Sequence, residues 1–357
     1  MIFFDLFNFF KSKKTQAYSS AFCRGVCLIL IFAAALSLTA CGGDGAPLKR
    51  ICYDYFDTVC TISYYGDRGE DYFDQTADLI EGELLRYHRL FDAYHAYSGI
   101  NNIYEINASA GNAPIVTDPA VIELISYGTE VYSLTGGEIN IALGAVTALW
   151  REASDTGVLP SAEQLNAAGE HISIEAVTID RKASSVYLSD PLMLLDVGSL
   201  GKGFAAERIA EALSEMGAEG FVLDLGGNIR TVGTKPDGSG WITGITDPHG
   251  KDNTFAARIL IADSSCVTSG DYRRYFTVDG KKYHHIIDGD TLYPAEHFSS
   301  VTVVADDSAL CDALSTALFC MPLDRGMALI EGTDGVEAFW IGIDGERFYS
   351  SGFKTLD

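Results

Sequence analysis

Positive charge is scarce in this chain of 357 residues, which has 25 lysines and arginines against 49 aspartates and glutamates. The formal net charge of −24 argues against nucleic acid, and against an anionic membrane surface, as a binding partner. The charge does not exclude an anionic cofactor, because backbone amides and a metal ion can reverse the electrostatic potential inside a site.

No internal repeat or low-complexity stretch is evident, and the N-terminal apolar run, Val26–Leu38, is shorter than the ~20 residues of a transmembrane helix. Because basic residues precede this run, it is typical of a signal peptide. Leu38-Thr39-Ala40-Cys41 resembles a bacterial lipobox, which predicts cleavage before Cys41 and lipid on its thiol. The alternative is an ordinary cleaved signal in which Cys41 is incidental.

These features predict a signal peptide over residues 1–40, a lipidated Cys41 with a flexible tether over 41–50, and one domain over 51–357. The glycines at positions 42, 43 and 45 are typical of a flexible linker. Acyl chains on Cys41 would hold the domain at the extracytoplasmic face of the cell membrane while the domain itself stays soluble.

The mature chain has an odd number of cysteines, which argues against a full disulfide framework. Of eight cysteines, two leave with the signal peptide and Cys41 carries lipid, so five remain. None of their spacings is typical of a metal site. Cys311 and Cys320 lie in an apolar helical pattern and are predicted to be core residues, and whether Cys52 and Cys60 form a bridge stays open.

Hydrophobic periodicity predicts an α+β fold. Helical patterns cover residues 71–94, 119–134, 203–216 and 307–321. Strand patterns cover 51–65, 192–197 and 221–225, much of 240–287, and then 301–305 and 336–343. Because only short runs link these elements, we predict a single compact unit that could have two lobes.

The helix over 307–321 contains a possible cation site. Asp312 and Thr316 are four residues apart, so they share one helix face about a turn apart. A carboxylate next to a hydroxyl can hold a hard cation such as Mg²⁺ through oxygen. The alternative is a buried aspartate that is bonded by its own threonine.

A second motif, Asp196–Gly203, combines the end of an apolar run, three glycines and the start of a helix. Glycines allow a ligand to approach the backbone closely, and a helix N-terminus favours phosphate groups. Lys202 adds a positive charge. Without other motifs, a helix start with a solvated lysine is an equally simple explanation.

Eight motifs together resemble the ApbE family of FAD:protein FMN transferases, from about Tyr53 to the C-terminus. They occur in the family's order and are Phe56–Thr58, Phe91–Tyr94, Gly137–Gly144, Asp196–Gly203, Asp224–Asn228, Thr268–Tyr272, His285–Asp288 and Asp312–Thr316. The resemblance implies an ApbE-like fold, with mixed or antiparallel sheets packed against helices.

The resemblance also implies the roles of individual residues. Mg²⁺ would be held by Asp312, Thr316 and the backbone carbonyl of Ser199. FAD, as the substrate, would be contacted by Phe56, Tyr94, Glu138, Ile139, Asn140, Asp196, Lys202 and Ile287. His285 is the candidate for a catalytic or orienting group, and its neighbour His284 would point to the opposite face of a strand.

Three positions depart from the family pattern. Ser199 stands where glycine or alanine is usual, which matters little for a backbone ligand. Asn140 replaces an aspartate and removes a charge. The turn after Asp288 is altered, although Thr291 and Pro294 remain.

The implied reaction is the Mg²⁺-dependent transfer of the FMN moiety of FAD to a threonine or serine hydroxyl, with release of AMP. The acceptors would be flavoproteins, either membrane redox-complex subunits or extracytoplasmic FMN-binding domains. The alternatives are an FAD pyrophosphatase that yields FMN and AMP, and a non-catalytic FAD-binding lipoprotein.

Overall fold

The computed structural model describes residues 46–356 apart from positions 252 and 253. The predicted signal peptide, Cys41 and the tether up to position 45 lie outside the described residues. The first strand begins at Leu48, a little before the predicted start of the domain at residue 51.

The structure alternates blocks of strands and helices. The strands are β1 Leu48–Tyr55, β2 Thr58–Tyr64, β3 Ile115–Val116, β4 Val177–Asp180, β5 Ser185–Leu188, β6 Phe221–Leu225, β7 Asn228–Val232, β8 Trp241–Thr246, β9 Phe255–Ile261, β10 Ser265–Gly270, β11 Tyr275–Val278, β12 Lys281–His284, β13 Phe298–Ala305, β14 Glu337–Gly342 and β15 Arg347–Tyr349. The helices are α1 Glu70–Phe91, α2 Ile103–Ala108, α3 Pro119–Leu134, α4 Gly144–Thr156, α5 Ala162–Gly169, α6 Gly201–Glu215, α7 Ser308–Cys320 and α8 Leu323–Glu331, with a 3₁₀ turn at Ile174–Ala176.

The central sheet has eight strands in the order β1-β2-β6-β7-β10-β13-β14-β15, and every neighbouring pair is antiparallel. Three smaller units are the sheet β3-β5-β4 and the hairpins β8-β9 and β11-β12. The predicted α+β class, with antiparallel sheets packed against helices, is confirmed.

The centre of the sheet is covered on both faces. Val301 and Val303 of β13 share one apolar core with α6 and α7, while Cys266 and Phe339 on the opposite face pack against the β8-β9 hairpin. Nearly every residue of β13 is therefore buried. This arrangement places α6 and α7 side by side on the sheet, and their meeting point is where the candidate site lies.

Local signals define the two helix starts that matter most. Asp118 caps α3 by accepting from Ala120 N at 2.9 Å, with Pro119 in the first turn. Asp307 caps α7 by accepting from Leu310 N at 3.0 Å. None of the helices among residues 46–356 is long and apolar enough to cross a membrane.

Two predicted strands differ from the structure. The predicted strand over residues 51–65 is a hairpin, with φ of 53° at Phe56 and 51° at Asp57 in its turn. Such a turn needs positive φ at both residues, and neither is the glycine or asparagine that would signal it. The predicted strand over 192–197 is wrong: Leu195 pairs through its backbone with the side chain of Asn107 instead of joining a sheet.

Cys311 and Cys320 are buried in the core, as predicted. Cys52 and Cys60 are directly opposite each other on β1 and β2, and both are free, buried thiols. Burial raises the pKa of each of these two thiols to about 12, so they are protonated at neutral pH.

Candidate active site

The N-terminus of α6 is in direct contact with α7. Gly203 N donates to Asp312 Oδ2 at 2.8 Å. A Cβ at position 203 would lie 2.5 Å from Asp312 Cβ and 2.3 Å from the carbonyl oxygen of Ser308, so only glycine allows this approach. The last glycine of the Asp196–Gly203 motif is therefore needed for helix packing.

Lys202 places a positive charge beside the buried carboxylate. Its Nζ lies 3.5 Å from Asp312 Oδ1 and 3.5 Å from the carbonyl oxygen of Gly198. Burial raises the pKa of the Asp312 carboxyl, and the Lys202 ammonium opposes that rise. The ammonium thus sits where a cation bound to Asp312 and to the turn before α6 would lie.

Thr316 does not bond the Asp312 carboxylate. Its hydroxyl lies 3.3 Å from the main-chain carbonyl of Asp312, and Ser269 on β10 lies 3.2 Å from Thr316 Oγ1 and 2.9 Å from Ser315 Oγ. Asp312 is thus buried and bonded by its own threonine, as the alternative has it, but through its main-chain carbonyl, which leaves the carboxylate to other partners. A row of hydroxyl groups also leads from β10 to Thr316.

The oxygen atoms at this junction suit a magnesium ion. Among residues 46–356, no three His, Cys, Asp or Glu side chains cluster in a way that could hold a metal. A cation beside Asp312 would therefore need neutral oxygens, such as the Thr316 hydroxyl and the Ser199 carbonyl in the turn before α6, together with substrate phosphate. One carboxylate with neutral and phosphate oxygens is a ligand set that Mg²⁺ commonly has.

Asn228 borders the same carboxylate. Its Oδ1 accepts from Ser308 Oγ at 2.9 Å, whereas its buried Nδ2 has no hydrogen-bond partner within normal distance. The amide is nevertheless close enough to Asp312 to lower the pKa of that carboxyl. An amide N–H donates and does not ligate a cation, so an acceptor such as a phosphate oxygen would complete it.

A buried ion pair holds α6, β7 and α7 together behind the site. Glu207 of α6 accepts from Arg230 Nε at 2.9 Å and from the backbone amide of Ser308 at 2.6 Å. Removing one partner of such a pair typically costs about 3–5 kcal/mol because the other charge stays buried. The pair therefore fixes the separation of the helices that carry Lys202 and Asp312.

Tyr94 and Asp196 meet beside the turn that leads into α6. Asp196 Oδ2 accepts from Thr147 Oγ1 at 2.7 Å and from the Tyr94 hydroxyl at 3.3 Å, and its Oδ1 accepts from Gly198 N at 2.9 Å. The Arg151 guanidinium lies 3.4 Å from the centre of the Tyr94 ring. Partial burial, with the Asp196 charge adding to it, raises the pKa of the Tyr94 phenol to about 12.

The two adjacent histidines have different environments. His284 is buried, with Nε2 2.7 Å from the carbonyl of Ala295 and Nδ1 accepting from Ile286 N at 3.2 Å, so both nitrogens are engaged. His285 is exposed on the other side of the chain, with Nδ1 3.1 Å from the carbonyl of Arg274. The predicted opposite orientation of the two rings is confirmed.

The contact with Arg274 sets the tautomer of His285. A carbonyl only accepts, so Nδ1 must carry the proton, and Nε2 keeps its lone pair in the neutral ring. Desolvation of the ring, together with the positive charges of Arg274 and Lys202, lowers the pKa of His285 to about 4. The ring is therefore neutral at physiological pH.

Phe56 is linked to His285 through Arg274. The Arg274 guanidinium donates to the carbonyl oxygens of Phe56 at 3.3 Å and Asp57 at 2.7 Å in the β1-β2 turn. The Phe56 ring packs edge-on against His88, with ring centres 5.9 Å apart. Arg274 therefore connects the two: its side chain bonds the turn that carries Phe56, and its backbone carbonyl bonds His285.

The other residues predicted to contact FAD bond or pack against neighbouring parts of the protein. Glu138 forms an ion pair with Arg325 on α8, and Ile139 is buried in the core. Asn140 donates to the carbonyl of Ile172 at 2.8 Å and accepts from Ala142 N at 2.9 Å. Ile287 is buried in an apolar cluster with Trp150. Contact between these four residues and FAD stays a prediction.

Several residues at the site were not predicted from the sequence. Thr147 and Arg151 lie four apart on one face of α4, a spacing that was visible directly after the Gly137–Gly144 motif. Arg274 comes from a segment whose strand pattern was recognised, and Ser269 lies in the Thr268–Tyr272 motif, but nothing local indicates which neighbours their side chains meet. Long-range packing determines those contacts.

The fold and the site define an α+β protein whose cleft combines a helix N-terminus, a lysine and a carboxylate, an arrangement that suits a phosphate-bearing ligand. The chain matches the ApbE family over residues 56–340 and belongs to that family. The resemblance predicted from the motifs is confirmed.

Relatives and solved structures agree with this assignment. The chain is similar to the FAD:protein FMN transferase of Treponema pallidum (strain Nichols), with 35% identity over 250 residues that cover 66% of this chain and 69% of the relative. It is also similar to the crystal structure of the ApbE protein from Thermotoga maritima, with 27% identity, a TM-score of 0.76 and coverage of 85% of this chain and 97% of that one. For the flavin transferase ApbE from Vibrio cholerae the identity is 25%, the TM-score 0.73 and the coverage 86% and 98%.

Proposed function

We propose that this protein transfers the FMN moiety of FAD to a threonine or serine hydroxyl of an acceptor flavoprotein, in a Mg²⁺-dependent reaction that releases AMP. The observation that carries the proposal is the junction of α6 and α7. There the Asp312 carboxylate lies 2.8 Å from the Gly203 amide at the N-terminus of α6 and 3.5 Å from the Lys202 ammonium. The relative from Treponema pallidum is named FAD:protein FMN transferase.

The pyrophosphate of FAD fits the α6 side of the cleft. Backbone amides at the start of α6 and the Lys202 ammonium attract phosphate oxygens, so a chain with a strongly negative net charge can still bind an anion here. Mg²⁺, held by Asp312, Thr316 and the Ser199 carbonyl, would neutralise negative charge on the phosphate oxygens.

His285 fits the role of general base. The acceptor oxygen forms a bond to the phosphorus of the FMN moiety, the bond from that phosphorus to the bridging oxygen breaks, and AMP leaves with the bridging oxygen. The hydroxyl proton goes to Nε2 of His285, which is free because Nδ1 faces Arg274. Bound phosphate would raise the pKa of His285 from its low value and make the ring a better base.

Tyr94 and Asp196 fit a positioning role. The hydrogen bonds from Tyr94 and Thr147 hold the Asp196 carboxylate at the edge of the cleft, where it can accept from a hydroxyl or amide of the dinucleotide. Phe56, in the turn between β1 and β2, supplies an aromatic surface. Positioning of this kind supplies much of the rate enhancement in phosphoryl transfer.

An FAD pyrophosphatase is the second candidate, since water could replace the acceptor hydroxyl with the same residues. A flavin-storage lipoprotein is the third, and the carboxylate and hydroxyl groups on α7 argue against it, because storage alone does not need them. Lipid on Cys41 would place the reaction at the extracytoplasmic face of the cell membrane.

One experiment separates these functions. The protein is incubated with FAD, Mg²⁺ and a candidate acceptor flavoprotein, and the acceptor is weighed by mass spectrometry while free FMN is measured by chromatography. A mass increase of one FMN on the acceptor supports the transferase. Free FMN without an adduct identifies the pyrophosphatase, and intact FAD identifies the storage protein.

A further inference from the structure

Positive charge is concentrated in one short segment. Residues 273–282 contain four lysines and arginines and a single acid, Asp279, in a chain with net charge −24. These residues and the three that follow form the β11-β12 hairpin and its base, and we call residues 273–285 the basic hairpin.

The two arginines of the basic hairpin bond backbone carbonyls. Arg273 donates to the carbonyl of Gly226, and Arg274 donates to the carbonyls of Phe56 and Asp57. Because carbonyls are neutral partners, these contacts hold the two guanidinium groups in place without cancelling their charge. Both arginines are exposed.

The lysines of the basic hairpin are also exposed. Lys281 Nζ is 3.0 Å from Glu296 and 5.4 Å from the centre of the Tyr283 ring, and Lys282 Nζ is 3.0 Å from Asp271 and 4.8 Å from the Tyr275 ring. Both pairs lie at the surface, where solvent screens them and a competing carboxylate can replace the partner at little cost.

The basic hairpin is fixed next to the candidate active site. Its inner side chains Phe276 and Tyr283 stack at 5.7 Å, and Tyr283 stacks on Trp150 of α4 at the same distance. His285 closes the base of the hairpin through its contact with Arg274. On the outer face, Tyr275 is 54% exposed. Because His285 directly follows β12, a chain segment that reaches His285 would pass beside the hairpin.

We propose that the basic hairpin is the docking surface for an acidic, extended segment of the acceptor protein, which flanks the hydroxyl that receives FMN. The proposal rests on the proposed transferase function. An acidic enzyme repels acidic partners at long range, so productive encounters need a local patch of the opposite sign at the site of chemistry. The exposed Tyr275 would add apolar contact to the charged rim.

The test uses two fluorescent peptides of fifteen residues with one central threonine. In the first peptide three glutamates flank the threonine on each side, and in the second three lysines replace them. Binding to the full mature chain is measured by anisotropy without FAD at low and high salt. The test variant is Lys281→Gln/Lys282→Gln, and the control is Arg181→Gln/Lys182→Gln, which removes the same charge from the exposed turn between β4 and β5.

We expect the glutamate peptide to bind at least 10-fold more tightly than the lysine peptide at low salt, and the preference to vanish at high salt. The test variant should lose about 3- to 10-fold in affinity for the glutamate peptide, as expected for exposed charges, while the control keeps wild-type affinity. Equal FAD affinity in all three proteins, measured by flavin fluorescence, shows that they are folded alike.

Equal binding of the two peptides, or equal losses in the test and control variants, would overturn the docking surface. Because the binding measurement contains no FAD, it does not depend on transfer. Failure of the proposed function is seen separately, as the absence of an FMN adduct on any acceptor incubated with the wild-type protein.

Discussion

The backbone amide of Gly203 donates a 2.8 Å hydrogen bond to the carboxylate of Asp312, across the contact between α6 and α7. This one bond orients the carboxylate, satisfies an amide at the start of α6 and requires a residue without a side chain. The geometry of the candidate site therefore depends on a glycine as much as on its charged residues.

Replacement of Gly203 by alanine should destabilise the protein and disturb the site together. The new Cβ would meet the Ser308 carbonyl at 2.3 Å, and a backbone atom cannot move aside cheaply. We expect a loss of about 1–3 kcal/mol in the free energy of unfolding, the usual cost of overpacking. Gly82→Ala on α1, where the new Cβ meets nothing within 4 Å, is the control and should stabilise by about 0.5–1 kcal/mol. Denaturant titration measures both, and equal stability of the two variants would contradict the packing argument.

Asp312→Ala should abolish Mg²⁺-dependent turnover of FAD and leave the fold intact. The carboxylate is the one charged ligand proposed for the cation, so its loss removes both the charge and the orientation of the site. Mg²⁺-dependent thermal stabilisation gives a readout independent of activity, and it should disappear in the variant. Full activity with metal still required would show that the metal lies elsewhere.

His285→Ala should lower the transfer rate by about 10²-fold or more, the usual scale for loss of a general base, with little change in FAD affinity. Single-turnover transfer and flavin fluorescence quenching measure the two quantities. An equal loss of FAD binding and of activity would identify His285 as a binding residue.

The pH dependence of the wild type provides a second test of His285. Because its pKa is lowered to about 4, the neutral form persists well below the 6.5 of an ordinary histidine. The value of kcat/KM, which reports the free enzyme, should therefore stay flat from pH 8 down to about pH 5. A loss of rate with a midpoint near pH 6.5 would show that the ring is fully hydrated in the free protein.

Tyr94→Phe should weaken FAD binding by about 3- to 10-fold, since it removes a hydrogen bond worth roughly 0.5–1.5 kcal/mol while keeping the ring. Tyr94→Ala removes the ring as well and leaves Arg151 without its aromatic partner, so its effect should be larger. Titration with FAD compares the variants. Identical affinities for wild type and Tyr94→Ala would place the flavin away from this side chain.

Mass spectrometry of the membrane fraction should find an N-terminal peptide that begins with a lipid-modified Cys41. The motif Leu38–Cys41 is the reason for this expectation. Cys41→Ser should remove the lipid and release the protein from membranes. An unmodified N-terminus at another position would favour an ordinary cleaved signal.

Local sequence was sufficient for most of the fold. Asp118-Pro119 and Asp307 mark helix starts that the structure reproduces, because a cap acts on amides only two or three residues away. The short apolar run over 192–197 had no such marker. The backbone of Leu195 is bonded by the Asn107 side chain, 88 positions away, and Leu194 and Asp196 bond the backbone of residues 141–144. These partners are distant in sequence, so no local pattern could have distinguished the run from a strand.

The motifs, their order and therefore the family can be read from the amino-acid sequence, which also places Asp312 and Thr316 on one helix face. The partner of each group depends on tertiary packing: the Asp312 carboxylate faces Gly203 and Lys202, and the Thr316 hydroxyl faces Ser269. Helical periodicity fixes the direction of a side chain relative to its own helix. Which part of the protein the side chain then contacts depends on how distant segments pack.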